Sequence, residues 1–134
     1  MGWLVPPFVQ AMKYLTFEDI VFIHENLLET YGGEAGIRDA GLIEVAVKRP
    51  KTGHYADLIE QAAALWESLA TTHCFVDCNE RTAFAAMEIF LDLNGMQITA
   101  SEEEAKSFIQ SLLANGNFSK DNLDFGLRQN TAAY

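Results

Sequence analysis

Basic side chains are scarce in this 134-residue chain, which carries 9 lysines and arginines against 19 aspartates and glutamates. The formal net charge is therefore −10 at pH 7. Electrostatic binding of nucleic acid requires clustered cations on the protein surface. The charge balance therefore disfavours DNA or RNA as a direct ligand.

Cysteine and long apolar runs are scarce as well. The two cysteines, Cys74 and Cys78, lie four positions apart and form no disulfide framework in the sequence, so we expect reduced thiols. No apolar stretch approaches the ~20 residues that a membrane-spanning helix needs, and we expect no secretory leader. These absences predict a cytoplasmic protein without a membrane anchor.

A hydrophobic content of 49% is sufficient for one compact domain of this length. Residues 1–12 contain Pro6-Pro7 and are predicted to be an N-terminal extension, either disordered or explained by an alternative start at Met12. Residues 13–128 are predicted to form the domain, and residues 129–134 a C-terminal tail.

Cap residues followed by apolar stripes predict about six helices. Five helices begin after a polar cap: Thr16, Asp39, Asp57, Ser101 and Ser119. The remaining helix, the fourth, spans about Asn79 to Asn94 and is apolar nearly all round, which is typical of the buried centre of a bundle. The fold class is therefore all-α, with a short flap at residues 52–55. His24 lies in the apolar stripe of the first helix and is predicted to be a packed core residue.

The segment from His73 to Thr82 ends the third helix, crosses a short loop and opens the fourth. A helix N-terminus offers unpaired N–H groups and the positive end of the helix dipole. Asn79 and Arg81 therefore predict a phosphate-binding cradle. His73 would stand beside the phosphate as a proton acceptor.

The same segment allows plainer interpretations. Asp77 and Glu80 have the spacing of a capping box, and Asp77 and Arg81 that of an ion pair on one helix face. A nucleophilic pair of Cys78 with His73 is another alternative. A zinc site could use the ligands that this loop itself supplies, namely His73, Cys74, Asp77 and Cys78.

The pattern His-x-Phe-x-Asp-x-Asn-x-Arg at residues 73–81 resembles the central signature of the Fic/Doc family. Further motifs resemble its Doc (death-on-curing) branch in order and spacing, so that the resemblance covers roughly residues 13–125. These motifs are Tyr31-Gly32-Gly33, Gly36-Ile37-Arg38-Asp39, Gly41-Leu42-Ile43-Glu44, Arg49-Pro50 and the segment from Arg81 to Gly95.

The resemblance implies a Fic fold that transfers part of a nucleoside triphosphate to a protein hydroxyl, with ATP and Mg²⁺ as cofactors. It implies that His73 is the general base, that Phe75 is a buried anchor and that Asp77 is an orienting or Mg²⁺-linked carboxylate. The positions that it assigns to nucleotide binding are Asn79, Arg81, Cys78 and Glu80. Phosphoryl transfer depends mainly on positioning and charge neutralisation, which side chains of these types supply.

AMP-transferring members of the family have an arginine three positions after the one that matches Arg81, and this chain has Phe84 there. This difference favours phosphoryl over AMP transfer. The Doc resemblance further implies a toxin of a toxin–antitoxin pair and a Phd-like antitoxin partner. The known Doc target is translation elongation factor Tu, which makes that factor a candidate target without fixing the target of this chain. The inhibitory pattern of many Fic proteins, Ser/Thr-x-x-x-Glu-Gly/Asn, is missing, which predicts control by a separate antitoxin chain.

Three substitutions separate this loop from its relatives: Glu80 replaces lysine or glycine, Cys78 replaces glycine or alanine, and Cys74 replaces proline. A carboxylate ~4 Å from a phosphate is repelled by about 1 kcal/mol in water and by several-fold more when partly buried. A second hypothesis therefore stands beside the enzyme: a catalytically degenerate relative that keeps the fold and binds a partner protein.

Overall fold

The computed structural model describes residues 11–134, so the extension predicted for residues 1–12 lies outside the described residues except at its last two positions. The described chain forms six α-helices, a 3₁₀ turn at Arg49–Lys51 and a small antiparallel sheet, which confirms the all-α class. The elements are α1 (Phe17–Tyr31), α2 (Ala40–Lys48), α3 (Leu58–Thr71), α4 (Asn79–Leu93), β1 (Met96–Ile98), α5 (Glu102–Ala114), α6 (Lys120–Gln129) and β2 (Thr131–Ala133).

Five of the six α-helices begin at a polar side chain that accepts a hydrogen bond from the third helical N–H. These caps are the predicted ones: Thr16, Asp39, Asp57, Ser101 and Ser119. Each satisfies one donor that the helix itself leaves unpaired, and such a cap is typically worth about 1 kcal/mol. Helix α4 differs, because its N-cap residue is Cys78 and no side chain caps it.

Helices α3 and α4 pack against each other at the centre of the bundle, with α1 beside α4 and α6 beside α3. Small residues such as Ala62, Ala63, Ala83 and Ala86 are fully buried there and allow close approach of the two helices. Larger side chains such as Phe90 fill the remaining space. The predicted central burial of α4 is confirmed, and α3 shares that position.

The C-terminal tail predicted for residues 129–134 contributes to the fold. Strand β2 pairs antiparallel with β1, with Thr131 opposite Ile98 and Ala133 opposite Met96. The Tyr134 N–H donates to the Gly95 carbonyl oxygen at 3.1 Å. Three-residue strands are too short for an alternating pattern to reveal them in a sequence.

The segment predicted as a short flap, residues 52–55, lies between the 3₁₀ turn and α3 without forming a strand. Its Tyr55 hydroxyl accepts a hydrogen bond from Arg49 Nε at 2.6 Å. Arg49 also donates to Glu67 at 2.8 Å and to Ser68 at 2.9 Å on α3. This network ties the flap to the bundle.

None of the helices in residues 11–134 is long and apolar enough to cross a membrane.

Candidate active site

The loop between α3 and α4 has an unusual backbone. His73 has φ 52° and Cys78 has φ 62°, so both lie in the left-handed region without being glycine. This conformation costs an L-residue about 1–2 kcal/mol. Such strain persists only where the surroundings hold it, and it is frequent at functional sites. These two strained residues bound residues 73–78, which we call the signature loop.

The segment of residues 36–39 holds the outer edge of this loop through main-chain hydrogen bonds. The Val76 N–H donates to the Gly36 carbonyl oxygen at 3.0 Å, and the Arg38 N–H donates to the Cys74 carbonyl oxygen at 2.8 Å. Ile37 forms an isolated antiparallel bridge with Phe75. The motif at 36–39 is therefore a structural partner of the signature loop.

The Arg38 side chain fixes the main chain at His73. Its Nε donates to the carbonyl oxygen of His73, and its Nη2 donates to that of Thr72 at 2.9 Å. Both carbonyls lie at the C-terminal end of α3, where unpaired acceptors favour a cation. Among the described residues, the exposed imidazole of His73 has no hydrogen-bond partner. The base candidate therefore has a fixed main chain and a free side chain.

Phe75 and His24 anchor the middle of the loop in the core. Each is 2% exposed, and their rings stack with centroids 3.7 Å apart and planes 7° from parallel. The His24 Nε2 lies 2.8 Å from the Asp77 carbonyl oxygen and donates to it. The predicted burial of His24 and the anchoring position of Phe75 are confirmed, and His24 contacts the signature loop directly.

The Asp77 carboxylate binds two main-chain N–H groups. Its Oδ2 accepts from Glu34 at 2.9 Å, and its Oδ1 accepts from Cys78 at 2.8 Å. These two hydrogen bonds, first that of Glu34, hold the pKa of the Asp77 carboxyl below its usual value. The capping-box interpretation of Asp77 with Glu80 is wrong. Cys78 is the N-cap residue of α4, and the Asp77 carboxylate accepts the hydrogen bond of the Glu34 N–H instead.

The Asn79 side chain closes the loop on itself. Its Oδ1 accepts from the Phe75 N–H and its Nδ2 donates to the Phe75 carbonyl oxygen, both at 2.9 Å. The side-chain amide predicted to bind phosphate is therefore engaged with Phe75. The group of Asn79 that remains for an anion is its main-chain N–H in the first turn of α4.

The N-terminus of α4 is open. The intrahelical ladder begins with the Thr82 N–H bonded to the Cys78 carbonyl oxygen at 3.1 Å, so the preceding N–H groups have no intrahelical acceptor. Glu80 and Arg81 are exposed in this turn. The Arg81 guanidinium lies 4.4 Å from the centre of the Tyr31 ring. Among the described residues, Arg81 forms no ion pair with Asp77, although their spacing allows one.

The zinc alternative is wrong for this loop. Residues 11–134 contain no group of three or more histidine, cysteine or acidic side chains placed to hold a metal ion. Cys74 is fully buried with its sulfur 3.3 Å from the Thr72 hydroxyl, and burial raises the pKa of its thiol. The Cys78 sulfur lies 3.7 Å from the Gly32 carbonyl oxygen.

The sequence is similar to those of known proteins. Residues 14–91 match the model described as the Fic/DOC family. The chain belongs to the Fic/Doc family. It is 42% identical over 93 residues to "Toxin Doc" of Mycolicibacterium smegmatis, covering 66% of this chain and 69% of that protein. It is 32% identical over 98 residues to "Protein kinase doc" of Escherichia phage P1, covering 70% and 78%.

Four residues that contact the signature loop or its first helical turn have no functional role predicted from the sequence: His24, Gly33, Arg38 and Tyr31. Gly33 and Arg38 are visible as parts of motifs shared with the Doc branch, but a motif alone does not say what its residues contact. The contact between His24 and Asp77 joins residues 53 positions apart in the sequence. No local sequence pattern predicts a contact over such a separation.

Gly33 is predicted to be intolerant of a side chain. It has φ 131°, and a Cβ there would lie 2.9 Å from the Cys78 sulfur and 3.0 Å from Asp77 Oδ2. We expect Gly33→Ala to displace the loop, to destabilise the protein by about 1–3 kcal/mol, and to lower transfer activity at least about tenfold, since a small misplacement of reacting groups is costly. Denaturant unfolding and the rate of label transfer from γ-labelled ATP measure the two effects.

Gly116→Ala is the matched control, because Gly116 also has a positive φ of 68° but has open space around its Cβ position. It lies between α5 and α6, outside the site. We expect it to lower stability and to leave transfer unchanged. Equal activity of Gly33→Ala and the parent protein would contradict the tight packing of the loop against Gly33.

Proposed function

We propose that this chain is a Doc-type toxin that transfers the γ-phosphoryl group of ATP to a hydroxyl group of a target protein. The observation that carries the proposal is the open N-terminus of α4, the one α-helix of residues 11–134 without a side-chain cap, placed directly after the loop that bears His73. The name of one similar protein, a protein kinase, supports this reaction class, and the name of the other, a toxin, supports the assignment as a toxin.

The proposed reaction is an in-line displacement. The His73 imidazole accepts the proton of the target hydroxyl. The hydroxyl oxygen then forms a bond to the γ-phosphorus as the bond from that phosphorus to the β–γ bridging oxygen breaks, and ADP leaves. The first-turn N–H groups of α4 and the guanidinium of Arg81 stabilise the negative charge on the phosphates, which is the largest contribution that a protein makes to such reactions.

Asp77 is the residue suited to Mg²⁺. Its carboxylate is exposed and its lowered pKa keeps it ionised. Each of its oxygens accepts one N–H hydrogen bond, so each retains acceptor capacity. Proteins commonly bind Mg²⁺ through one or two carboxylates together with substrate phosphates and waters. The ion would supply neutralisation of the triphosphate charge, and Asp77 would orient it.

The Glu80 carboxylate weakens the nucleotide site without abolishing it in this proposal. Glu80 is exposed in the first turn of α4, so its repulsion of phosphate falls near the aqueous value of about 1 kcal/mol at ~4 Å. That energy corresponds to about fivefold in affinity. Such a loss is compatible with an ATP-dependent enzyme, which favours the catalytic hypothesis over the degenerate partner-binding one.

The proposed biological setting is a toxin–antitoxin pair in the bacterial cytoplasm. The partner is a separate antitoxin chain of the Phd-like type, and translation elongation factor Tu is the first candidate target to be tested. The support for this setting is the printed name of the Mycolicibacterium relative, which is a toxin. Phe84, in place of a second arginine on α4, supports phosphoryl over AMP transfer.

The test is a labelling experiment with the purified protein. The parent and the Glu80→Lys variant are each incubated with Mg²⁺ and γ-labelled ATP in a translation-competent bacterial lysate, and the lysate alone gives the background. We expect a labelled protein band from the parent and a band about 25-fold stronger, at subsaturating ATP, from the variant, because the charge reversal removes a repulsion of about 1 kcal/mol and adds an attraction of similar size. Glu103→Lys is the control, because it makes the same charge change in the first turn of α5, outside the site, and it should match the parent.

The alternatives predict other results. A band from Glu80→Lys alone would mean that the natural loop has lost its phosphate site, and it would establish the degenerate hypothesis. The absence of a band from both proteins would contradict the proposed transfer in this lysate.

A further inference from the structure

The peptide group between Asp77 and Cys78 is held at both of its polar atoms. Its carbonyl oxygen accepts from His24 Nε2 at 2.8 Å. Its N–H donates to the Oδ1 of Asp77 at 2.8 Å. Cys78, which follows this peptide, has φ 62° and is the N-cap residue of α4. One peptide plane at the entrance to the helix is thus fixed from two sides.

The backbone strain at Cys78 favours a rotation of the peptide plane that precedes it. A rotation of the 77–78 peptide plane by about half a turn changes φ of Cys78 by a similar angle, which brings it into the favourable negative region. That rotation breaks the bond to His24 and the bond within Asp77. It also turns the Asp77 carbonyl oxygen to the side where the Cys78 N–H now points, which places a partial negative charge at the entrance to α4, where phosphate would bind.

We propose that His24 is a positioning residue of the active site: its hydrogen bond holds the 77–78 peptide plane, keeps Cys78 left-handed and leaves the first-turn N–H groups of α4 open to phosphate. The burial of His24 protects this hydrogen bond from competition by water. The activity part of this inference rests on the proposed function, whereas its structural part does not.

His24 makes two contacts that substitutions can separate. His24→Phe keeps an aromatic ring to stack on Phe75 and removes the donor to Asp77. His24→Gln removes the ring and keeps an amide N–H donor at similar reach. A role in the hydrogen bond therefore predicts loss in the phenylalanine variant and rescue in the glutamine variant, and a role in ring packing predicts the reverse.

We expect His24→Phe to lower kcat/KM for ATP at least about tenfold and His24→Gln to remain within about threefold of the parent. Adding Cys78→Gly to His24→Phe should raise kcat/KM for ATP again by about fivefold. Glycine adopts a positive φ without strain, so rotation of the peptide plane would relieve no strain at residue 78. Ile20→Val is the control for general weakening, since Ile20 is fully buried on the same helix; it should lower Tm and leave kcat/KM unchanged.

The second readout does not use activity. The Cys78 N–H bond to Asp77 protects that amide, so its hydrogen exchange, followed by NMR in the full chain without nucleotide, reports the peptide plane. We expect exchange at Cys78 to accelerate at least about tenfold in His24→Phe and to change less than about threefold in His24→Gln. Exchange that responds in this way while the parent transfers no phosphate would reject the proposed function and retain the positioning role.

Two results would overturn the inference. Parent-like exchange at Cys78 in His24→Phe would show that the peptide plane does not depend on the hydrogen bond. Equal acceleration in His24→Phe and His24→Gln would show that the imidazole ring itself, and not its donor, holds the loop.

Discussion

Replacement of His73 by alanine is expected to lower phosphoryl transfer by about 10²–10⁴-fold, the range typical of a lost general base. Stability should change little, because the His73 imidazole is exposed and makes no hydrogen bond within residues 11–134, and Arg38 holds only its main chain. His73→Asn should be equally inactive. Asparagine tolerates the left-handed backbone required at φ 52°, so it separates loss of the base from loss of the loop conformation.

The measurement is the rate of label transfer from γ-labelled ATP, together with Tm of each variant. His54→Ala serves as the matched control, because His54 is an exposed loop histidine outside the signature loop, and it should retain parental activity. More than a third of the parental rate in both His73 variants, with unchanged Tm, would remove His73 from the mechanism.

Replacement of Arg81 has the second of the two largest expected effects on activity. We expect Arg81→Ala to lower kcat/KM for ATP by about 10²–10³-fold, which is the usual loss for one group that stabilises transition-state charge. Arg81→Lys should be intermediate, because lysine keeps the charge but cannot bind two phosphate oxygens with a planar fork. The stacking of Arg81 on the exposed Tyr31 ring contributes about 0.5–1 kcal/mol at most to stability, so Tm should shift only slightly.

Arg128→Ala is the control for the removal of an arginine. Arg128 binds both oxygens of Asp57 at 2.9 Å, at the N-terminus of α3. Its loss should lower stability by about 1 kcal/mol or less, as for other exposed ion pairs, and leave transfer unchanged. Equal transfer rates in Arg81→Ala and Arg128→Ala would contradict a phosphate-binding role for Arg81.

Local sequence patterns predict most of the helical framework. The five polar caps each precede an apolar stripe, and all five accept the third helical N–H. The signature at 73–81 likewise identifies the loop that joins α3 to α4. The caps and stripes depend on residues three or four positions apart, and the signature occupies nine consecutive positions, so both are visible in one sequence.

The contacts within the site are less accessible to sequence reasoning. Asn79 has the residue type of a phosphate ligand, yet both ends of its amide bind the Phe75 main chain. Asp77 has the spacing of a helix cap, yet it binds the N–H of Glu34, 43 positions away. Polar side chains in a strained loop satisfy whichever main-chain groups the fold brings near them, and those groups come from distant parts of the chain.

The pairing of β2 with β1 escapes sequence reasoning for a related reason. A three-residue strand next to the C-terminus has no distinguishing periodicity, and its pairing depends on the position of Met96–Ile98 after α4. Cys78 is visible in the sequence as a departure from glycine, but its left-handed conformation is evident only from the backbone angles. Both features are consequences of tertiary structure rather than of local propensity.

The central claim is that the transferred group is the γ-phosphoryl of ATP and that His73 accepts the proton. Parallel incubations of the parent and His73→Asn with target lysate and either α-labelled or γ-labelled ATP test it most directly. The account predicts label on a protein hydroxyl from γ-labelled ATP only, and none with His73→Asn. Label from α-labelled ATP, or equal γ-labelling by both proteins, would contradict it.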